Sequence, residues 1–384
     1  MNGTARPTIA CYYFPNYHID ARNERVHGPG WTEWELVRRA EPRFPGHRQP
    51  RVPLWGETDE ADPTAMAQRI AAAADHGIDA FLFDWYWYDD GGFLCRALDE
   101  GFLRAPNNDR IRFALMWANH DWVDIHPAKL GQGAATAPVL YPGKVTPETF
   151  GDICDLVIDQ YFGHPAYWCI DGRPYFSVYE LSKLLESFGG LAQTRDALES
   201  FRAKVRAAGF PALHLNAVVW SVRILPGESA VKDPNDLLHA LGFDSITSYV
   251  WIHHGGLDAF PESDYDDARD RYMDYWDEAQ TTFDLPYFPN VTMGWDPSPR
   301  TVQSDGYLNA GYPFTPTLAH NTPARFRVAL QMAKSRLASS AVQPKVLTIN
   351  AWNEWTEGSY LEPDTVTGMA YLEGVRDVFG VTSH

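Results

Sequence analysis

The sequence predicts an α/β protein built as a (β/α)8 TIM barrel, a single domain over residues 1–384 with long βα loops. Three observations carry the prediction. Eight short apolar runs of strand length alternate with helical segments along the chain. Nearly every run ends in a cluster of polar and aromatic residues, and the C-terminal ends of barrel strands are where this architecture keeps its functional groups. No Gly-x-Gly-x-x-Gly or Gly-x-x-x-x-Gly-Lys-Ser/Thr pattern follows any strand, which disfavours the runner-up, an open doubly wound nucleotide-binding sheet.

Residues 8–14 form the first strand-like run, which breaks at Pro15-Asn16-Tyr17-His18. An alanine-rich helix over 69–76 is stopped by Gly77, and the second strand, 78–83, ends in Asp84-Trp85-Tyr86-Trp87-Tyr88. Residues 94–103 fit a helix. The third strand, 111–116, ends in Trp117-Ala118-Asn119-His120-Asp121-Trp122. Phe150, Ile153, Leu156, Val157 and Tyr161 recur at helical spacing over 149–162, and the fourth strand, 174–178, ends in Tyr179-Glu180. A helix over 197–208 leads to the fifth strand, 213–219, which ends in Trp220-Ser221; a helix over 233–241 leads to the sixth, 245–250, which ends in Trp251-Ile252-His253-His254. The long helix 267–283 precedes the seventh strand, 288–293, ending in Gly294-Trp295-Asp296. Helix 323–338 then precedes the eighth, 345–349.

A chain of 384 residues exceeds the roughly 250–300 of one ordinary core, so an elaborated barrel and two domains are both permitted. No linker, charge block or low-complexity tract marks a boundary, which favours the barrel. Lys and Arg number 32 against 50 acids, for a net charge of -18, so phosphate backbones and anionic lipid repel the chain and nucleic acid is excluded as a partner. No run of about 18 apolar residues is present to span a membrane as a helix. Cys11, Cys95, Cys154 and Cys169 lack metal-ligand spacing and read as reduced core thiols. The first strand begins at about Thr8, too early for a signal peptide, which points to the cytoplasm.

The eighth strand delivers Asn350-Ala351-Trp352-Asn353-Glu354-Trp355-Thr356-Glu357-Gly358. Glu354 and Glu357, three apart, face one another across a small space in a helical turn or tight loop, and nearby carboxylates push their pKa values apart, as a proton donor and acceptor require. Solvated loop charges are the plain alternative. The flanking indoles favour a sugar cleft, because the chain's 14 Trp and 19 Tyr exceed what a core needs and many of them stand at strand ends, where they suit stacking on sugar faces. Candidate substrate contacts are therefore Tyr13, His18, Asp84, Trp85, Trp117, Asn119, His120, Glu180, Trp220, Trp251, His253, Trp295, Asn353 and Trp355, with Trp31 and Trp34 from the long connection after the first strand. That connection also holds Arg43, Arg48 and Arg51, placed either for an anionic substrate group or for the protein's own acids.

The stretches Tyr12-Tyr13-Phe14-Pro15-Asn16-Tyr17-His18, Gly30-Trp31-Thr32-Glu33-Trp34, Gly46-His47-Arg48-Gln49-Pro50-Arg51 and Asn353-Glu354-Trp355-Thr356-Glu357-Gly358-Ser359-Tyr360-Leu361-Glu362-Pro363-Asp364 together resemble the WbsX group, labelled a polysaccharide-cluster glycosyltransferase and similar to family-99 glycoside hydrolases of the endo-α-mannosidase type. The resemblance spans nearly the whole chain. It implies a retaining hydrolase of oligo- or polysaccharide, needing no cofactor or metal, in which Glu354 deprotonates a sugar 2-hydroxyl to give a 1,2-anhydro sugar and Glu357 protonates the leaving oxygen. A 2-hydroxyl trans to the leaving group, as in α-mannosides and α-rhamnosides, is the structural demand of that route. The mannan subsites of those relatives are not recognisable in the sequence.

Three other readings differ in what they require. A glycosyltransferase would use Asp264-Tyr265-Asp266 to hold a metal-bound sugar nucleotide. A non-catalytic sugar-binding barrel would keep the aromatics without needing both glutamates. Metal catalysis would need a third ligand beside His253-His254.

Overall fold

Each apolar run becomes a strand of one parallel sheet in the computed structural model, which describes residues 6–132, 136–221 and 234–380. The barrel strands are β1 (Thr8–Tyr13), β2 (Ala80–Tyr88), β3 (Arg112–Trp117), β4 (Arg173–Val178), β5 (His214–Val218), β6 (Ser245–Thr247), β7 in two pieces (Tyr287–Phe288 and Asn290–Thr292) and β8 (Val346–Asn350). Neighbours pair in parallel from β1 through β6. The first piece of β7 pairs with β6 and the second with β8, while β8 returns to β1 with Thr8 opposite Val346. Pro289, which has no N–H for the ladder, makes the break that lets one strand serve both neighbours. The ring of strands is thereby closed, as the sequence predicts.

Helices follow the strands on the outside, and their starts are legible in the sequence. Asp62, Thr146 and Thr322 each precede a proline, and each side chain accepts a hydrogen bond from the first turn of its helix: Pro63–Asp75, Pro147–Val157 and Pro323–Ser339. Apolar faces of these helices and the strands form one continuous buried cluster. The barrel interior is more polar than the apolar runs suggest. Ser177 donates to Asn216 at 2.9 Å, Asn216 to Ser245 at 2.9 Å and Asn290 to Thr348 at 3.1 Å, so these buried groups satisfy one another.

Several boundaries depart from the sequence reading, among them the helices read over 69–76 and 197–208, which start earlier, at Pro63 and Leu191. β2 runs on to Tyr88 because Gly91–Phe93 folds back and pairs with it. β6 stops at Thr247, and the chain turns into the short helix Ile252–Gly255. Residue 233, read as a helix start, lies outside the described residues, and the helix there is Pro234–Leu241. The long connection after β1 is not all loop but carries two short helices, Ala21–His27 and Trp34–Arg39. The cysteines are unpaired, yet only Cys11 and Cys154 are core residues; Cys95 is half-buried and Cys169 exposed, which corrects the reading of all four as core thiols. Among the described residues no helix is long and apolar enough to cross a membrane.

Candidate active site

At the end of β8 the chain makes a small hairpin, Asn353–Glu354 against Ser359–Tyr360, tipped by the turn Trp355–Glu357. Gly358 closes it with φ of 65°, a backbone that costs glycine nothing. A Cβ there would also lie 2.6 Å from that of Asp296, so the hairpin sits directly on the end of β7. Trp355 stacks on Tyr360 at 3.9 Å and donates its indole N–H to Glu362, which pairs with Arg69. Trp355 is thus a buried strut of the hairpin, and Glu354 and Glu357 are what the hairpin presents.

Both glutamates line a cleft of about 670 Å³, open solvent included, at the mouth of the barrel. Arg300 joins them. Its Nη1 donates to Glu357 Oε1 at 2.5 Å, its Nη2 to Glu354 Oε2 at 3.2 Å, and its Nε to Glu33 Oε1 and Thr356 Oγ1, both at 2.9 Å. Phe14 lies under the guanidinium, 5.2 Å from ring centre to Cζ. Tyr312 donates to Glu357 Oε1 at 2.6 Å, and Tyr249 sits between Asp84 Oδ2 at 2.8 Å and Glu354 Oε1 at 3.3 Å. Burial raises the pKa of Glu354 well above the ordinary value, helped by the neighbouring Glu357 and opposed by Arg300. Burial raises Glu357 as well, against the pull of Arg300 and the Tyr312 hydrogen bond, and Asp84 is driven well up by the same burial.

The sequence-derived contacts divide by strand alternation. Asp84 and His120 line the cleft, as do His253 and Trp295. Trp85 and Trp117 do not. Side chains two apart on a strand share a face, so Asp84 and Tyr86 face the mouth while Trp85 stacks on Trp87 at 5.2 Å on the other side. On β3 and its extension Met116, Ala118 and His120 line the cleft, and Trp117 turns out to donate to the Trp87 carbonyl and pack on Phe150. Trp251 is buried against Tyr265 and Tyr272 with its N–H on the Asn290 carbonyl. Trp34 is buried between Tyr17 and Trp355, Trp31 stacks on His27 outside the cleft lining, and Trp220 packs on Tyr179. The expectation of an indole from most strand ends is therefore corrected: Trp295 and Trp122 are the indoles of the lining.

Several polar candidates hold the site instead of touching the cleft. Asn353 accepts from Phe14 N at 2.8 Å and donates to Phe14 O at 2.7 Å, and Asn119 makes the same two bonds, both 2.8 Å, to the backbone of Glu180. Each amide imitates one step of a β-ladder where the strands have ended. Glu180 caps the helix Leu181–Phe188. Tyr13 and His18 converge on the buried Glu60, at 3.1 and 3.0 Å. Arg43 donates to Thr301 and to the Asp305 carbonyl, Arg48 is exposed, and none of the three loop arginines lines the cleft, so no anion site forms from them. Asp264 caps the helix Tyr265–Thr282 and pairs with Arg325 at 2.9 Å, while Asp266 pairs with Arg269; this Asp-x-Asp serves a helix start.

Sequence reasoning did not single out Arg300, Tyr249, Tyr312, Tyr86, Tyr179 or His126, all of which line the cleft. The signal for Tyr86 was present in the alternation of β2. Arg300 stands on an irregular loop after β7, with no periodicity to mark it.

The sequence model of a family described as "Glycosyltransferase WbsX" matches residues 9–375. Two relatives, each called "Uncharacterized protein WxcX" and from two strains of Xanthomonas campestris pv. campestris, are 28% identical over 385 residues, covering 97% of this chain and 50% of theirs. The chain spans about half the length of the curated relatives it matches. Among solved structures, the GH99 endo-alpha-mannosidase from Bacteroides thetaiotaomicron superposes with a TM-score of 0.56 at 14% identity, over 98% of this chain and 97% of that one. A structure described as "Glycoside hydrolase-like protein" gives 0.59 at 15% identity, over 100% and 96%. At such identities the likeness establishes the fold alone, a (β/α)8 barrel.

Proposed function

We propose that this chain, which belongs to the WbsX glycosyltransferase family, hydrolyses an α-glycosidic bond in an oligo- or polysaccharide through Glu354 and Glu357. The observation that carries the reading is the pair itself: two buried carboxylates three residues apart, bridged by one guanidinium, at the C-terminal end of the last barrel strand and in the wall of a cleft. A sugar-binding barrel has no use for such a costly arrangement. A metal-dependent sugar-nucleotide transferase gains nothing from the Asp-x-Asp motif, whose first carboxylate is taken up by helix capping and whose two carboxylates are both ion-paired.

The resemblance assigns the roles. Glu354 takes the proton of a 2-hydroxyl, O2 bonds to C1 as the C1–O bond to the leaving group breaks, and Glu357 gives its proton to the departing oxygen. Water then attacks C1, handing a proton to Glu357, while the opening O2 recovers one from Glu354. Two displacements at C1 return the original anomer, and the route suits sugars with an axial 2-hydroxyl trans to the leaving group, mannose and rhamnose types.

The hydrogen bonds to the two glutamates favour the opposite assignment. Arg300 and Tyr312 both serve Glu357 at 2.5–2.6 Å, whereas Glu354 has only contacts of 3.2 and 3.3 Å and is raised further. This supports a second reading in which Glu354 is the acid and Glu357 the base. Both share one test of function. Aryl α-mannosides and α-rhamnosides and the corresponding oligosaccharides are offered to the protein and the products followed by NMR. Release of the retained anomer is expected. An inverted product, or consumption of a sugar nucleotide with no hydrolysis, overturns the proposal.

A further inference from the structure

The cleft also carries a statement about what it accepts. Its described lining holds four carboxyl side chains, Asp84, Asp121, Glu354 and Glu357, and one Arg or Lys, Arg300. Every nitrogen of that guanidinium already faces protein oxygen: Glu33 and Thr356 at Nε, Tyr312 and Glu357 at Nη1, Glu354 at Nη2. The lining histidines His120, His126 and His253 add no positive charge near neutrality, because burial lowers the pKa of each. Even with one of the acids protonated, an incoming anion meets no uncompensated cation among the described residues of the lining. Asp84 stands apart within this set. Asp84 is 3% exposed and lines the cleft; Oδ2 accepts from Tyr249 at 2.8 Å, and among the described residues the buried Oδ1 has no hydrogen-bond partner. A buried carboxyl oxygen without a partner, on a residue of the cleft wall, is a place for a ligand hydroxyl.

We propose that the cleft selects an uncharged sugar residue, one of whose hydroxyls is bound by Asp84 Oδ1, and that it rejects uronates, sulfated sugars and nucleotide sugars by charge. This rests on the hydrolase reading for the choice of sugars, but it is a statement about binding and is tested by binding. Asp84 is a specificity-determining residue in it. A unit of like charge about 6 Å away at an effective dielectric of about 20 weakens binding by about 100-fold.

The experiment uses α-linked mannan oligosaccharides, the same oligosaccharides oxidised at C6 to carboxylates, and the methyl esters of the oxidised set, which restore neutrality at nearly constant size. GDP-mannose is the nucleotide probe. Affinities are read by calorimetry on the full chain, with Glu357→Gln used where turnover intervenes. The parent and the ester are expected to bind alike, the carboxylate about 100-fold more weakly and the nucleotide sugar not at all. Asp84→Ala is expected to lower affinity for the neutral oligosaccharide about 10- to 100-fold and to leave unchanged the affinity for one monodeoxy analogue, the one lacking the hydroxyl it binds. Asp84→Asn keeps volume and a hydrogen-bonding atom and is expected to retain most of the affinity, which separates lost recognition from lost folding. Equal or tighter binding of the carboxylate or of GDP-mannose overturns the proposal, as does failure of every neutral oligosaccharide to bind. An Asp84→Ala effect equal on all deoxy analogues overturns the role of Asp84. Hydrolysis failing while the binding order holds refutes the catalytic reading alone.

Discussion

Asp296, at the end of β7, and the pair Glu354 and Glu357, after β8, are buried alike and sit against each other, with Asp296 N on the Glu357 carbonyl at 2.5 Å. Burial works to raise all three acids. In Asp296 it is outweighed by His47 at 2.8 Å, by Arg51 behind it and by the Ser298 hydroxyl at 2.6 Å, with Gln49 also donating at 2.7 Å, and the pKa falls to about 2. Glu354 has two long contacts and stays raised. The difference is the number of donors aimed at each carboxylate, not the depth at which it lies. Asp296 is held as an anion by His47, Gln49 and Ser298 and ties down the loop that carries Arg300, whereas Glu357 has two donors and Glu354 two longer ones.

The comparison is broken most decisively at the pair. Glu354→Gln and Glu357→Gln are each expected to lower turnover by 10²–10⁴-fold or more. On substrates with an activated leaving group only the variant lacking the acid recovers: under the role assignment taken from the resemblance that is Glu357→Gln, and recovery of Glu354→Gln in steady-state assays would instead establish the reversed roles. In the variant lacking the acid, the residual rate should rise with pH through the pKa of the remaining base, at a value above the usual carboxylate range.

Next in size is Asp296→Ala, which leaves His47, Gln49 and Ser298 with unmatched donors in a buried space and is expected to cost about 3 kcal/mol in urea unfolding at neutral pH. A loss under about 1 kcal/mol would show that Asp296 is not the fixed anion described above. Opposite in sign, Glu354→Gln removes one of several crowded carboxyls and is expected to raise stability by about 1 kcal/mol while abolishing activity, the usual trade at a strained site.

The smallest effect is on the pH dependence of the wild-type protein, where the two kinds of carboxylate pull in opposite directions. The depressed pKa of Asp296 contributes stability that is present above about pH 4 and is lost as pH falls towards 2. The raised values of Asp84, Glu354 and Glu357 act the other way: their contribution is most favourable in acid and declines as pH rises through the folded values. The melting temperature should therefore climb slightly from pH 7 to about 5 and drop below about 4. A flat profile in Glu354→Gln over the upper range would assign the slope to the pair.

The barrel was legible because its strands are apolar runs punctuated by Gly and Pro, and because caps such as Asp62-Pro63 and Thr322-Pro323 announce the helices. Glu354, Glu357 and Asp84 were legible as acids at strand ends. The indoles misled. Trp85 and Trp117 lie at the right heights along β2 and β3 but at odd steps from Asp84 and Met116, and an aromatic residue signals burial before it signals ligand. Arg300 and Tyr312 could not be read at all, since each belongs to an irregular segment whose position depends on tertiary contacts, among them those of Asp296, His47 and Gln49.

The amide of Asn353 grips the backbone of Phe14 across 339 residues of sequence. Glu354, the next residue, is set in place by a contact between the first and the last strand of the ring. Turnover is therefore an all-or-none reporter of ring closure: during refolding it should emerge with the slowest phase, after helical circular dichroism has recovered, because this contact has nearly the longest loop in the molecule to close.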